Sequence, residues 1–374
     1  MAIGTVPVGL PMSGDQLREH QRLAAQHVTF SVTESCPLRC VHCIVATVPA
    51  NDRSRTMPME RAESYAAQMG ALARRGVRFV SFTGGEPLLA RRQLQLLSRA
   101  ARDAGMESTV VTACHWATST ATAEKVVASL PDIECWQVST DEFHRDYVSV
   151  DHVIRAAKAA SKFGRNVMVR LSMSLPESDT IVSIYNELRE ALPDIRIFAQ
   201  PIIAMGRGAS VPSFSELADV PAWPCVPQGM VVRFDGTVAP CCAGLVDTRD
   251  GHPFQYPNAD TAGLEGVHQA WCTDPLLQLI RAAGFAALMP WLREIAPEHD
   301  VLAETPRHPC EFCTRLWTDP GVGPALRERI SRDENRAKVA ALAHEVFGET
   351  FMLEEDAKLA SVARADEPTG VCCP

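Results

Sequence analysis

ESCPLRCVHC, running from Glu34 to Cys43, places the thiols of Cys36, Cys40 and Cys43 directly after the β-rich run VTFSVT (Val28 to Thr33). β-Branched and aromatic residues that end in a loop put these cysteines at the carboxyl end of a strand. Five further runs of the same texture follow: VRFVSFT (Val77 to Thr83), STVVTA (Ser108 to Ala113), CWQVST (Cys135 to Thr140), VMVRLSMS (Val167 to Ser174) and IRIFAQPIIA (Ile195 to Ala204). Helical patterns separate them. Ala62, Tyr65, Ala66, Met69, Leu72 and Ala73 share one helix face, as do Ile181, Ile184, Tyr185, Leu188 and Leu192. Strand and helix alternating in this way predict parallel strands joined by right-handed crossovers. Six units of about 30 residues are too few for an eightfold barrel. The expected fold is therefore α/β, a partial (β/α)6 barrel.

After AMGRGAS the texture changes, because the stretch Ser210 to Gly229 carries Pro212, Pro221, Pro224 and Pro227. MVVRFDGTVAPCC then reads as a β-hairpin turning at Asp235-Gly236, with Cys225, Cys241 and Cys242 around it and Cys310 and Cys313 supplied later by HPCEFC. From Pro324 to Phe347 a charged amphipathic helix is expected, stopping at Gly348. These shifts divide the chain into an N-terminal extension (1–26), the partial barrel (27–208), a small hairpin-containing domain rich in thiols (209–320), and C-terminal helices with a tail (321–374).

Composition excludes several classes. The 374 residues carry 36 Lys and Arg against 45 Asp and Glu, a net charge of −9, and no basic run that would track a phosphate backbone. No nucleic-acid partner is expected. The first residues lack a positive segment and are broken by Pro7 and Pro11, while the apolar stretch from Ala282 to Leu292 is short and contains Pro290. The reading is a cytoplasmic protein without a membrane span. Thirteen cysteines is an odd count, and clustered thiols in a reducing compartment point to metal or redox chemistry.

Three thiols on one loop leave a metal centre one ligand short of the four that a closed zinc site takes, and open positions are where chemistry happens. The second strand ends in SFTGGEPLL, whose Gly84 and Gly85 allow close backbone approach and whose Glu86 carboxylate suits an ammonium group. Together, C-x3-C-x2-C and Gly-Gly-Glu at consecutive strand ends resemble the radical S-adenosylmethionine superfamily, over about Val28 to Gly208. The resemblance implies a [4Fe-4S] cluster on Cys36, Cys40 and Cys43. It also implies that S-adenosylmethionine chelates the fourth iron, with Gly84, Gly85 and Glu86 receiving its amine. An external electron donor such as flavodoxin or ferredoxin would reduce the cluster, and a 5′-deoxyadenosyl radical would take hydrogen from an unactivated C–H bond.

VSTDEFHRDYV is similar to the family's fourth-strand segment, which implies Ser139 near the ribose or the methionine carboxylate; Arg170, on the fifth strand, matches a basic carboxylate partner. Plainer readings compete: Ser139 begins a turn, Arg170 is an ion-paired barrel residue, and His144 is a hydrogen-bonded loop histidine. The third strand departs from the family. VTACHWA stands where many relatives have Thr-Asn-Gly, so Ala113 and Cys114 replace the asparagine and glycine. The Cys114 thiol then either faces the barrel mouth as a hydrogen donor or, more commonly for a lone cysteine, simply packs.

Cys225, Cys241, Cys310 and Cys313 resemble the ligand set of the auxiliary domain called twitch, and imply a second [4Fe-4S] cluster. The larger SPASM arrangement needs further cysteines soon after the last pair, and TRLWTDPGVG has none. The same four thiols also suit structural zinc, and Cys242 competes with Cys241 as a ligand. Cys135 reads as a packing residue; Cys272, Cys372 and Cys373 are either spare or extra ligands. The expected activity is oxidation of a peptide or small-metabolite substrate through the auxiliary cluster. Epimerisation with Cys114 as hydrogen donor is the alternative, and a non-catalytic iron–sulfur or zinc scaffold is the alternative of another class. No separate leader-binding domain is visible, which leans toward a small molecule, although a short peptide can pair with a sheet edge.

Overall fold

Six parallel strands take up the six β-rich runs: β1 (His27–Thr33), β2 (Phe79–Gly84), β3 (Glu107–Thr112), β4 (Cys135–Thr140), β5 (Asn166–Met173) and β6 (Arg196–Pro201), side by side in chain order. They belong to a computed structural model that describes residues 13–348 apart from 46, 204, 212–219, 243–251, 305 and 307. One crossover helix joins each pair: α2 (Met59–Arg74), α3 (Arg91–Asp103), α4 (Thr120–Ala128), α5 (Val150–Lys162) and α6 (Asp179–Ala191), the second pair of strands being joined by α3.

Period-two alternation sorts the strand residues between two faces. Val28, Phe30, Val80, Phe82, Val110, Trp136, Val138, Val169 and Leu171 are wholly buried in the apolar core shared with the helices. The registers Thr29–Ser81, Ser81–Thr109 and Ser139–Arg170 place polar side chains on the other face, with Gln137 beside them. The sheet is thus apolar toward its helices and polar on its concave side, a surface suited to holding a hydrophilic ligand.

The hairpin read around Asp235-Gly236 forms from β7 (Met230–Arg233) and β8 (Val238–Ala239), antiparallel to each other. Thr237 donates from its backbone N and its hydroxyl to the Asp235 carboxylate, and Gly236 takes φ +83°. Strand β7 also pairs in parallel with β1, from Val28–Met230 to Ser31–Arg233, so the hairpin extends the barrel sheet to eight strands in the order β8-β7-β1-β2-β3-β4-β5-β6. An edge strand with unpaired backbone groups accepts such an addition readily. The expected single C-terminal helix is two, Val322–Ser331 and Asp333–Phe347. Arg332 turns extended (φ −65°, ψ 135°), and Asp333 and Glu334 stand in the first turn of the second helix, where its dipole favours negative charge.

The N-terminal extension contributes α1 (Gly14–Ala25), whose start is a capping box between Ser13 and Gln16. From it Gln21 is buried and donates to the carbonyls of Cys225 (2.7 Å) and Arg281 (2.8 Å). Arg281 returns a bond to the Gln21 amide oxygen at 3.0 Å, and its guanidinium lies 4.6 Å from the Trp271 ring and 4.5 Å from the Phe347 ring. This buried cation joins the N-terminal helix, the thiol-rich segment and the last helix. Arg281→Ala strips the stacking and strands the Gln21 amide, so it is expected to lower unfolding stability by about 3 kcal/mol in urea titrations of the full chain. A loss under about 1 kcal/mol would deny the residue this role.

Candidate functional site

At the end of β1 the chain makes a two-residue parallel ladder, Ser35–Cys36 with Val48–Pro49, and the cysteine loop spans the interval. Cys40 is buried, Cys36 and Cys43 are half-buried, and all three share an apolar cluster with Leu38, Ala113, Phe143 and Val148. Cys36 Sγ accepts from Leu38 N at 3.4 Å. Burial, opposed by that bond and reinforced by the negative charge of Glu86, Cys40 and Cys43, pushes the Cys36 thiol up to about 12. Three thiols on one loop are a soft donor set, and sulfur-loving metal chemistry is what it fits.

The glycines of β2 hold the loop in place. A Cβ on Gly84, at φ +134°, would stand 2.0 Å from the Thr33 carbonyl oxygen, and one on Gly85 would stand 2.3 Å from that of Ser35. Gly85 N donates to Thr33 O at 2.6 Å and Glu86 N to Ser35 O at 2.9 Å. The close approach these glycines allow is therefore first of all to the backbone that carries Cys36. Glu86 is wholly buried; its carboxylate accepts from the Thr112 hydroxyl (2.9 Å), Ala113 N (3.0 Å) and Leu88 N (3.1 Å), with the His115 ring 3.6 Å away. A buried carboxylate whose hydrogen bonds come from neutral donors fits an ammonium partner.

Ser139 and Arg170 face each other across β4 and β5. Arg170 donates to Gln200 Oε1 at 3.0 Å and Gln137 Oε1 at 3.3 Å, both neutral, so among the described residues it is not spent in an ion pair. Burial lowers its pKa, and Cys242 lies near enough for its charge to raise it. Cys114 has φ +62° and no exposed surface, and its Sγ lies 3.7 Å from the Thr112 carbonyl; burial raises its thiol pKa well above the usual range. It packs in the core.

The thiol-rich segment converges. Burial and the charges of Cys241, Cys225, Cys313 and Cys242 raise Cys310 well above the usual thiol range. Cys225 is pushed up to about 12 by burial, with Cys313 and Cys242 adding and Arg281 opposing. Cys310 and Cys313 stand on the helix Pro309–Leu316, where His308 Nδ1 accepts from Cys310 N, and Trp317 Nε1 donates to Cys313 Sγ at 3.2 Å. The charges of four other thiols, the exposed Cys242 among them, thus reach Cys310. Cys272 lies elsewhere, buried against the His268 ring at 3.5 Å, and Cys135 opens β4. Cys372 and Cys373 lie outside the described residues. No disulfide joins the described cysteines.

Two groups escaped the sequence reading. Glu34, buried before Ser35, pairs with Arg55 (3.1 Å) and with Arg233 of β7, which ties the hairpin to the cysteine loop. His42, Asp141 and His144 bring one ligand atom each within 4.8 Å of one another. Burial opposes the charge of His144, but Asp141 and the Cys40 sulfur outweigh it and raise its pKa to about 10. Asp141 is held well below the usual carboxylate range by the two imidazoles, against the effect of burial.

Residues 30–188 match the family described as the Radical SAM superfamily. The chain carries a domain of that superfamily. YydG of Bacillus subtilis (strain 168), named for peptide biosynthesis, is 20% identical over 286 residues, covering 74% of this chain and 86% of YydG. A GTP 3′,8-cyclase of Caulobacter vibrioides is 30% identical over 101 residues, 27% of each chain. A solved structure of tagged anSMEcpe with bound AdoMet shares the fold with a TM-score of 0.52 at 13% identity, over 90% of this chain and 98% of that one. The partial barrel is thus a radical SAM barrel and the chain is an enzyme, which removes the scaffold reading. The family implies a [4Fe-4S] cluster and S-adenosylmethionine. Among the described residues no helix is long and apolar enough to cross a membrane.

Because a Gly84 side chain would overlap the Thr33 carbonyl, Gly84→Ala is expected to cost about 3 kcal/mol or more of unfolding stability. Gly76→Ala, at φ +88° with nothing nearby, serves as the control for backbone strain alone. Equal losses in the two variants would show that contact with β1 does not matter.

Proposed function

We propose that this enzyme modifies a peptide at an unactivated C–H bond, with Cys36, Cys40 and Cys43 holding a [4Fe-4S] cluster and Gly84, Gly85, Glu86, Ser139 and Arg170 surrounding S-adenosylmethionine. When bound, the pair supplies a 5′-deoxyadenosyl radical able to take hydrogen from carbon. The observation that carries the reading is the junction at the ends of β1 and β2, where three thiols and one buried carboxylate, hydrogen-bonded by neutral donors, share a wall. In it the Glu86 charge receives the cofactor amine, and Arg170, aimed by two neutral amides, meets its carboxylate. The polar concave face of the sheet holds the substrate. Similarity to YydG over most of both chains favours a peptide over a small metabolite.

Cys225, Cys241, Cys310 and Cys313 we assign to an auxiliary [4Fe-4S] cluster in a domain spanning about 209–320, with flavodoxin or ferredoxin as the external electron donor. The mutual electrostatic influence of four half-buried thiols supports it, and a fifth, Cys242, remains the competitor of Cys241. Structural zinc is the competing occupant. The auxiliary site supplies redox capacity, and net oxidation is the reaction we assign.

Anaerobic reconstitution is expected to load about eight irons per chain, and replacing Cys36, Cys40 and Cys43 together should leave about four with no 5′-deoxyadenosine released. Zinc without sulfide would overturn both assignments. For the net reaction, turnover in deuterated water should give product without solvent deuterium at the attacked carbon, unchanged by Cys114→Ala. One deuterium gained at that carbon would make the enzyme an epimerase instead.

A further inference from the structure

The cysteine loop keeps an open outer face, with Pro37, Arg39 and Val41 exposed, and two distant segments are built onto its backbone. Neither Gly206, at φ +57°, nor Gly208 has room for a side chain: a Cβ on the first would stand 2.8 Å from the Ile44 carbonyl oxygen, and one on the second 2.9 Å from that of His42. Arg207 between them donates from its backbone N to Cys43 O (3.0 Å) and from its side chain to Cys40 O (3.1 Å) and Thr47 Oγ1 (3.0 Å), all neutral acceptors. The loop that follows β4 reaches the same stretch, where the Tyr147 hydroxyl donates to Arg39 O at 3.2 Å. Val41 and Tyr147 are 53% and 49% exposed, and Arg39, Arg145 and Arg207 are exposed as well. Among the described residues no carboxylate pairs with any of these three guanidinium groups, although Asp146 stands exposed between Arg145 and Tyr147.

Two exposed apolar side chains among three unpaired cations contrast with the rest of a chain whose net charge is −9. Val41 directly follows Cys40, and Val148, next to Tyr147, shares the apolar cluster of the cysteine thiols. Electron transfer through protein falls steeply with distance, so a protein reductant must dock where the thiols lie close beneath the surface. We infer that Val41, Tyr147, Arg39, Arg145 and Arg207 form the docking surface for the external reductant, an acidic one-electron carrier protein of the flavodoxin class. The inference rests on the cluster assignment proposed above, and adds where the electron enters. The carrier's flavin hydroquinone anion gives up one electron and becomes the neutral semiquinone, the cluster takes that electron, and no proton moves. Redox partners meet through small interfaces whose charges speed encounter, and a small apolar centre with a cationic edge lets the spent carrier leave.

The test measures 5′-deoxyadenosine release by the anaerobically reconstituted full chain at limiting reductant, where reduction sets the rate. One reductant is a purified acidic bacterial flavodoxin in its hydroquinone form, the other photoreduced 5-deazariboflavin, a small uncharged donor. Arg39→Glu combined with Arg145→Glu reverses the patch. Arg92→Glu combined with Lys158→Glu, at exposed cations of α3 and α5, makes the same change of net charge elsewhere. Arg207 is left in place because its side chain holds the loop backbone. At low salt the flavodoxin-driven rate is expected to be about tenfold lower in the patch variant than in wild type, a difference that shrinks as salt rises. Val41→Asp is expected to slow the same reaction at high salt too, because it removes the apolar contact. The deazariboflavin-driven rate should match wild type in every variant. An equal loss in the control pair, an unchanged flavodoxin-driven rate in the patch variant or in Val41→Asp, or a deazariboflavin-driven rate that falls with it would overturn the docking surface. So would a wild-type chain that deazariboflavin drives and flavodoxin does not. A wild-type chain that releases no 5′-deoxyadenosine with either reductant fails the underlying cluster assignment, and is told apart by that result.

Discussion

The backbone contact between Gly84-Gly85 and Thr33–Ser35 governs the geometry of everything at the mouth of this barrel. Two strands whose peptide groups meet with a 2.6 Å hydrogen bond leave no room for a side chain, and their ends are locked in direction as well as distance. Strand β1 then releases its chain into the cysteine loop at a fixed angle. Strand β2 releases Glu86 into the wall beside it. The β7 hairpin reinforces the same corner, because pairing with β1 carries Arg233 to Glu34, one residue from the Ser35–Cys36 ladder. Distant segments are thus recruited to stiffen a loop whose thiols must converge.

How much of this the sequence discloses follows from the range of the forces involved. Strand positions are local: alternation in runs such as CWQVST and VMVRLSMS comes from the two faces of a pleated sheet, and β4 and β5 form within a residue of those runs. The Asp-Gly turn is equally local. That β7 pairs with β1 is not, because the hairpin's apolar run fits any open edge and the partner lies about 200 residues away in chain order. Arg332 was hidden for a related reason. Helix propensity runs through it, and only packing makes it the joint between two helices.

The candidate site divides in the same way. Cys36, Cys40, Cys43 and the Gly-Gly-Glu stretch are legible because their spacing within a short loop already implies convergence. His42 and Asp141 lie on separate loops, and only tertiary structure brings the rings of His42 and His144 to one Asp141 carboxylate oxygen. Cys114 illustrates the opposite limit. Its place after β3 suits an active-face thiol, yet the side chain is shielded completely, with its sulfur near the Thr112 carbonyl.

Three buried carboxylates stand after strands β1, β2 and β4, and each is compensated differently. Glu34 is met by two guanidinium groups, and Asp141 by two imidazoles. Glu86 has hydroxyl and amide donors, with one imidazole beyond hydrogen-bond length. Low local dielectric makes a buried charge costly unless it is paired, so these are unequal in energy, and the deficit lies at Glu86. The thiols beside it add negative charge once they ionise. Such a corner gains most from ligands that bring positive charge, a metal to the sulfurs and an ammonium to the carboxylate. Anything bound there in the folded chain alone stabilises that fold by its own binding free energy, so loading and local order are coupled.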